Sequence, residues 1–270
     1  MALHLFSGPT SRPDGIRQMF EEVGWQCIDL DTVNDRIDNL DNDLLWEMIF
    51  QATNSGLVSF LWMGPPCTSF SPARRHGPGP KAVRSADYPR GFPKAWLSEA
   101  EAEEVRKGNY YALQCVAVAN AALAQSTPWA IENPEPWNSG ESASMFDFEE
   151  FEALAARPGV GTVDFDQCTR GAETTKPTRV VYWGVDLSCL WARCDHHHQW
   201  WETDGTDGSG RRIEEWVWAP HPPLIRRRRK DGQWASKAAA AYPAAMNAAI
   251  VEAAHTSPLW EPPEEVQRRQ

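Results

Sequence analysis

The chain lacks any stretch of about 18 consecutive apolar residues, which excludes a membrane-spanning helix of ordinary length. Its first residues, Met1-Ala2-Leu3-His4-Leu5-Phe6, lack the basic stretch and long apolar core of a secretion signal. Cysteine is sparse: six in 270 residues, at positions 27, 67, 115, 168, 189 and 194, do not make a disulfide framework. Reduced thiols in a cytoplasmic setting are the simpler expectation. Positive charge is also short, with 26 Lys and Arg against 37 Asp and Glu and a net charge of -11, which argues against a nucleic-acid partner. That deficit is uneven. Acids crowd 29–47, 99–104 and 147–152, whereas Arg226-Arg227-Arg228-Arg229-Lys230 is densely basic, and Arg74, Arg75, Lys81, Arg84, Arg90 and Lys94 form a second basic stretch. Each run reads equally as a solvated face or as part of a local positive groove.

What is present is an alternation of short apolar runs and helical patterns. Leu3–Phe6, Trp25–Leu30 and Leu57–Met63 read as strands, and Gly15–Val23 and Leu44–Thr53 as helices between them. Strand-helix-strand-helix-strand predicts an α/β fold: a doubly wound, mostly parallel sheet with helices on its faces. Residues 71–95 are rich in Pro, Gly and Arg without a period, a long loop of the kind that usually carries function. Ser98–Ala124 is strongly helical, Trp129–Glu132, Thr162–Phe165 and Arg179–Trp183 are strand candidates, and Lys237–Ala254 returns to helix, interrupted at Pro243. Seven tryptophans fall from Trp183 to Trp234 among Gly- and Asp-rich turns, predicting a small β-rich or irregular lobe. The expected division is a catalytic domain from 1–184 plus 235–256, a lobe at 185–234 and a flexible tail at 257–270.

Four segments carry chemistry. In Gly64-Pro65-Pro66-Cys67-Thr68-Ser69-Phe70-Ser71 a cysteine follows a buried parallel strand, where open α/β sheets bind ligands, and prolines stiffen its turn. Such a thiol suits a nucleophile; a buried structural cysteine is the competing reading. Ile131-Glu132-Asn133-Pro134 puts a carboxylate at the tip of a buried strand, costly unless it meets a partner or substrate. Arg179 enters an apolar strand in Thr175-Lys176-Pro177-Thr178-Arg179-Val180-Val181-Tyr182-Trp183, where an edge-strand arginine with an exposed head is the alternative. Leu5-Phe6-Ser7-Gly8, with Asp31 about 25 residues later, has a spacing that suits a nucleoside cofactor, the second-strand acid taking ribose hydroxyls. Asp29 is the rival to Asp31.

In order and type these segments resemble the motifs of the cytosine-5 DNA methyltransferase family, across nearly the whole chain, with Tyr242–Ala254 in the place of the last, helical motif. The resemblance implies a Rossmann-like S-adenosylmethionine-dependent methyltransferase with a target-recognition lobe. It assigns Cys67 as the thiolate that adds to carbon 6 of a flipped cytosine in double-stranded DNA, Glu132 as the group holding ring nitrogen 3 and the amine, and Arg179 as the group bonding the base oxygen and Glu132. It assigns S-adenosylmethionine to Phe6, Ser7, Gly8, Asp31 and Pro66. The basic loop after Cys67 is then expected to close over the base and touch phosphates. A monomer suffices for this chemistry. RNA or single-stranded DNA as substrate, and a catalytically silent nucleic-acid-binding relative, are the alternatives.

The chain also departs from the family pattern. Gly8-Pro9-Thr10-Ser11-Arg12-Pro13-Asp14-Gly15 replaces a glycine-rich turn, so a donor with an extra anionic group paired to Arg12 is an alternative to the ordinary one. Tyr242-Pro243-Ala244 replaces a Gly-Asn-Ser, putting cofactor contact from that helix in doubt. A lobe this short predicts a target of two to four bases or relaxed specificity, in a layout like that of phage or mobile-element enzymes acting in a host cytoplasm. Cys189, Cys194, His196 and His198 are zinc-compatible, but their spacing fits no common finger.

Overall fold

Four short apolar runs, β1 (Ala2–Leu5), β2 (Cys27–Leu30), β3 (Phe60–Met63) and β4 (Trp129–Pro134), pair in parallel in the computed structural model. The structure describes residues 1–71, 74, 80–136, 143–195, 200–206, 212–217 and 241–259. β6 (Pro177–Trp183) runs antiparallel between β4 and β5 (Gly161–Asp166), giving a six-stranded sheet of order β2-β1-β3-β4-β6-β5. The expected α/β class and mostly parallel sheet are both present. No helix among the described residues is long and apolar enough to cross a membrane.

Side chains alternate across a strand, so each run feeds two cores. Leu3, Leu5, Leu61, Met63, Trp129, Ile131 and Val181 face one way, onto α2 (Asp43–Asn54), α3 (Glu99–Ala124) and α4 (Glu149–Ala155). Ala2, Phe60, Trp62, Ala130, Val163, Phe165 and Val180 face the other way, onto α1 (Ile16–Glu22) and α5 (Ala244–His255). The long helix α3 starts on a reciprocal cap: Ser98 Oγ accepts from the Glu101 amide, and the Glu101 carboxylate accepts from the Ser98 amide. Pro243 lies just before α5, where its fixed φ and missing N–H cost nothing to the helix. The expected helix from Lys237 is therefore seen only from Ala244; residues 237–240 lie outside the described residues.

The topology fixes where a ligand belongs. From β1 the chain goes to β2 on one side and then crosses to β3 on the other. The crevice between the carboxyl ends of β1 and β3 is thus a topological switch point, the usual ligand position in open α/β sheets. In the tryptophan-rich stretch, β7 (Trp200–Thr206) and β8 (Arg212–Val217) form a two-stranded antiparallel sheet. The basic block at Arg226–Lys230, His196–His198 and residues 260–270 lie outside the described residues.

Candidate active site

Cys67 stands on a turn braced from two sides. Asn133, at the end of β4, donates through Nδ2 to the Pro65 carbonyl at 2.8 Å, and the Phe70 amide closes a turn on the Cys67 carbonyl at 2.9 Å. Behind the turn, buried Arg84 donates to Ser69 Oγ, the Val105 and Pro89 carbonyls and Asn109 Oδ1, and stacks 4.0 Å over the Phe70 ring. Burial lowers the Arg84 guanidinium to about 10, still charged at neutral pH. Cys67 itself is half-buried. Desolvation pushes its thiol up, the Lys176 charge pulls it down, and the Glu132 carboxylate pushes it up again.

Glu132 projects from β4 onto the α1–α5 face and is only 5 % exposed. Its Oε2 accepts from the Tyr242 hydroxyl at 2.8 Å. Its Oε1 is buried and has no hydrogen-bond partner among the described residues. Burial first, and then the Glu132 charge, hold the Tyr242 phenol well above its ordinary value, so it stays an O–H donor. The Tyr242 ring meets Trp62 edge-on, with centroids 5.8 Å apart at 89°. Gly64 makes this approach possible: a Cβ there would meet the Tyr242 hydroxyl at 2.3 Å. The Tyr242-Pro243-Ala244 segment thus returns to the candidate site through the carboxylate, a role its departure from the family pattern concealed.

Arg179 goes elsewhere. In the antiparallel register it lies opposite Asn133 on one side and Asp164 on the other, whereas Glu132 lies opposite Val180. Directly paired residues share a face, so Arg179 points to the face away from Glu132. Its guanidinium forms a two-pronged pair with Asp164, at 2.7 and 2.8 Å, beside the Phe146 ring. The expected Arg179–Glu132 bond is absent, and a one-residue offset in a period-two strand is the reason. Lys176, whose charge pulls the Cys67 thiol down, has its Nζ 5.4 Å over the Tyr242 ring.

At the carboxyl end of β1 the chain turns through two left-handed residues, Phe6 at φ 62° and Gly8 at φ 67°. Asp31 Oδ2 accepts from the Gly8 amide at 3.0 Å, and Asn34 ties the same turn through Ser7 Oγ and the Gly8 carbonyl. Phe6, Ser7, Gly8 and Asp31 are therefore brought together, and Pro66 stands exposed in the turn before Cys67. Asp29, the rival, is instead turned to His4, carboxylate to Nδ1 at 3.0 Å. Arg12 is held two-pronged by Asp14 at 3.0 and 2.8 Å, which occupies the guanidinium that an extra anionic group would need.

The basic stretch after Cys67 is tied into the protein. Arg74 pairs with Glu104, Lys81 with Glu101 and Arg90 with Glu150, while Arg84 is the buried brace described above. Acids of α3 and α4 pair with these three cations; Arg75 and the rest of residues 72–73 and 75–79 lie outside the described residues. No group of three or more potential metal ligands occurs among the described residues. Cys189 is exposed, and Cys194 lies against Cys168, whose thiol burial and then Cys194 push up to about 12.

No protein-family model matches the chain, and no curated protein matches it.

Proposed function

We propose that this chain is an S-adenosylmethionine-dependent methyltransferase acting on carbon 5 of cytosine in DNA, with Cys67 as nucleophile. One observation carries the reading: a buried carboxylate oxygen, Glu132 Oε1, has no partner among the described residues, and it belongs to the carboxylate that bears on the half-buried thiol of Cys67. An unsatisfied buried acceptor costs roughly 1–3 kcal/mol. A flipped base offering an amine would satisfy Oε1 and gain specificity from that contact. Thymine or uracil, with a carbonyl at that place, would face two acceptors.

The residues then divide the work. The Cys67 thiolate adds to carbon 6, the electron pair of the 5,6 double bond moves to between carbons 5 and 4, and the pair of the 4,3 double bond moves onto nitrogen 3. Glu132 holds nitrogen 3 and the amine and offsets charge as the adduct forms. Tyr242, donating to Oε2, fixes the carboxylate so that Oε1 is the oxygen left for the base. Loss of the carbon-5 proton to a solvent water afterwards returns electrons to the ring and expels Cys67 as thiolate.

The β1 turn fits a nucleoside cofactor: apart from the adjoining residues, no described atom lies within 4 Å of where a Gly8 side chain would begin, and an acid at the end of β2 stands beside it. Phe6, Ser7, Gly8, Asp31 and Pro66 would hold S-adenosylmethionine at the switch point. When bound, it supplies an electrophilic methyl group to carbon 5. With Arg12 on Asp14, the ordinary donor is the proposal.

Nucleoside mass spectrometry of DNA from cells expressing the wild-type chain or Cys67→Ala tests this reading. It requires 5-methylcytosine with wild type alone. Methylated RNA with unmodified DNA would move the same chemistry to RNA, and no modified base from folded protein would leave a silent binder.

A further inference from the structure

Arg84 is 2 % exposed and uses all four terminal N–H groups of its guanidinium. Nη1 donates to the Pro89 carbonyl at 2.8 Å and to Asn109 Oδ1 at 2.7 Å, and Nη2 to Ser69 Oγ at 3.1 Å and the Val105 carbonyl at 3.0 Å. Three segments thus meet on one planar fork: the turn after Cys67, the loop before α3, and two residues one helical turn apart on α3. A guanidinium can join them because its donors are fixed in one plane, which those of a lysine are not. Its flat face lies 4.0 Å over Phe70, whose amide closes the turn on the Cys67 carbonyl at 2.9 Å.

Gly108 shows how tightly this junction is drawn. A glycine inside a helix costs stability relative to alanine, yet Gly108 lies well inside the 26-residue α3. A Cβ there would meet Ser69 Oγ at 2.5 Å, Arg84 Nη2 at 2.9 Å and the Phe70 ring at 3.4 Å. All three contacts belong to the junction. The helix therefore forgoes a methyl group so that the Cys67 turn can lie directly against it. A contact that only had to hold the fold together would tolerate an alanine and a turn set slightly further out. A nucleophile does not tolerate that, because it must stand within about 0.5 Å of its productive position.

We propose that Arg84 is a positioning residue for Cys67: it fixes residues 69 and 70 of the turn and, through them, the line along which the thiol attacks. The inference rests on the reading of Cys67 as nucleophile. Asn133 holds the other end of the turn at the Pro65 carbonyl, so the half-buried thiol stands between two anchored points. Releasing the Arg84 end has two opposite consequences. The thiol becomes easier for a small reagent to reach, and worse placed for a base bound against Glu132.

The test compares wild type, Arg84→Met, Arg84→Lys, Gly108→Ala and Ser69→Ala by two readouts. Gly108→Ala keeps every member of the junction, favours the helix, and disturbs only the contact, so it answers the question even if Arg84→Met fails to fold. The first readout is the rate of iodoacetamide labelling at Cys67, followed peptide by peptide by mass spectrometry, with buried Cys27 and Cys115 reporting global opening. The second is kcat and KM for 5-methylcytosine formation on DNA. Arg84→Met, Arg84→Lys and Gly108→Ala are expected to speed Cys67 labelling by roughly tenfold while Cys27 and Cys115 stay protected. In the same variants kcat falls by roughly 10–100-fold and KM stays within about twofold. Ser69→Ala, which removes one acceptor, falls between them and wild type. Equal acceleration at Cys27, Cys67 and Cys115 marks a merely structural brace and overturns the proposal, as does unchanged labelling or unchanged kcat in Gly108→Ala. If the Cys67 labelling shift is seen but wild type methylates no nucleic acid, the methyltransferase reading fails and the hold of Arg84 on the Cys67 turn stands. If wild type methylates DNA and the variants label and turn over like it, the Arg84 assignment fails alone.

Discussion

The two faces of the sheet at β4 and β6 carry neighbouring residues into opposite situations. On the α1–α5 face, Glu132 has one oxygen bonded to Tyr242 and one buried with no partner among the described residues. On the other face, one residue along each strand, Asn133 braces the Pro65 carbonyl and Arg179 is closed onto Asp164 by two hydrogen bonds. Among the described residues, Asn133 Oδ1 on the second face is buried without a partner as well, so the difference lies between Glu132, with one oxygen open, and the Arg179–Asp164 pair, which is closed as a structural contact is. Residue type alone does not separate them, because both hold an acid and a cation near a motif. Pairing does.

That contrast can be broken by substitution. Cys67→Ala is expected to abolish 5-methylcytosine formation while leaving the urea unfolding midpoint nearly unchanged, since a half-buried thiol contributes little to packing. Glu132→Gln keeps the shape and can still accept from Tyr242, yet loses the charge. Turnover should fall by roughly 10²–10⁴-fold, about 3–5 kcal/mol in the barrier, with stability equal or higher because a buried charge is gone. A Glu132→Gln enzyme with wild-type turnover would remove the open face from the account. Tyr242→Phe strips Oε2 of its donor and should cost about 1–3 kcal/mol in chemical denaturation. Asp164→Asn breaks an ion pair that is about a quarter exposed and should cost under about 1 kcal/mol, with turnover within a fewfold of wild type. Should Asp164→Asn impair turnover as deeply as Glu132→Gln, the two faces would not differ as described.

Much of the frame was legible because apolar strands announce themselves. Leu3–Phe6, Leu57–Met63 and Trp129–Glu132 locate β1, β3 and β4 within a few residues, and their carboxyl ends carry Gly8, Cys67 and Glu132. Helix α4 was not legible: only Phe151 and Leu154 are buried, and a single apolar pair among acids gives no period. Arg84 read as one more exposed cation in an irregular loop, since nothing local signals acceptors coming from Ser69, Pro89, Val105 and Asn109. Tyr242 lies in the segment matched to the last, helical motif, yet its role depends on a contact across a long separation. Tyr242 reaches Glu132 from 110 positions away. Arg179 failed for a more instructive reason. A motif names a residue, but the alternation of a strand decides which face receives it, and register is invisible until the partner strand is known.

The most direct test of the central claim is covalent trapping on DNA containing 5-fluorocytosine in the presence of S-adenosylmethionine. Fluorine at carbon 5 leaves no proton to remove after methyl transfer, so the expulsion of the nucleophile is blocked. The account predicts a stable protein–DNA adduct whose peptide mapping places the modified pyrimidine on Cys67, absent from Cys67→Ala. An adduct on another cysteine, or 5-methylcytosine formed from ordinary DNA with no trapping at Cys67, would contradict it.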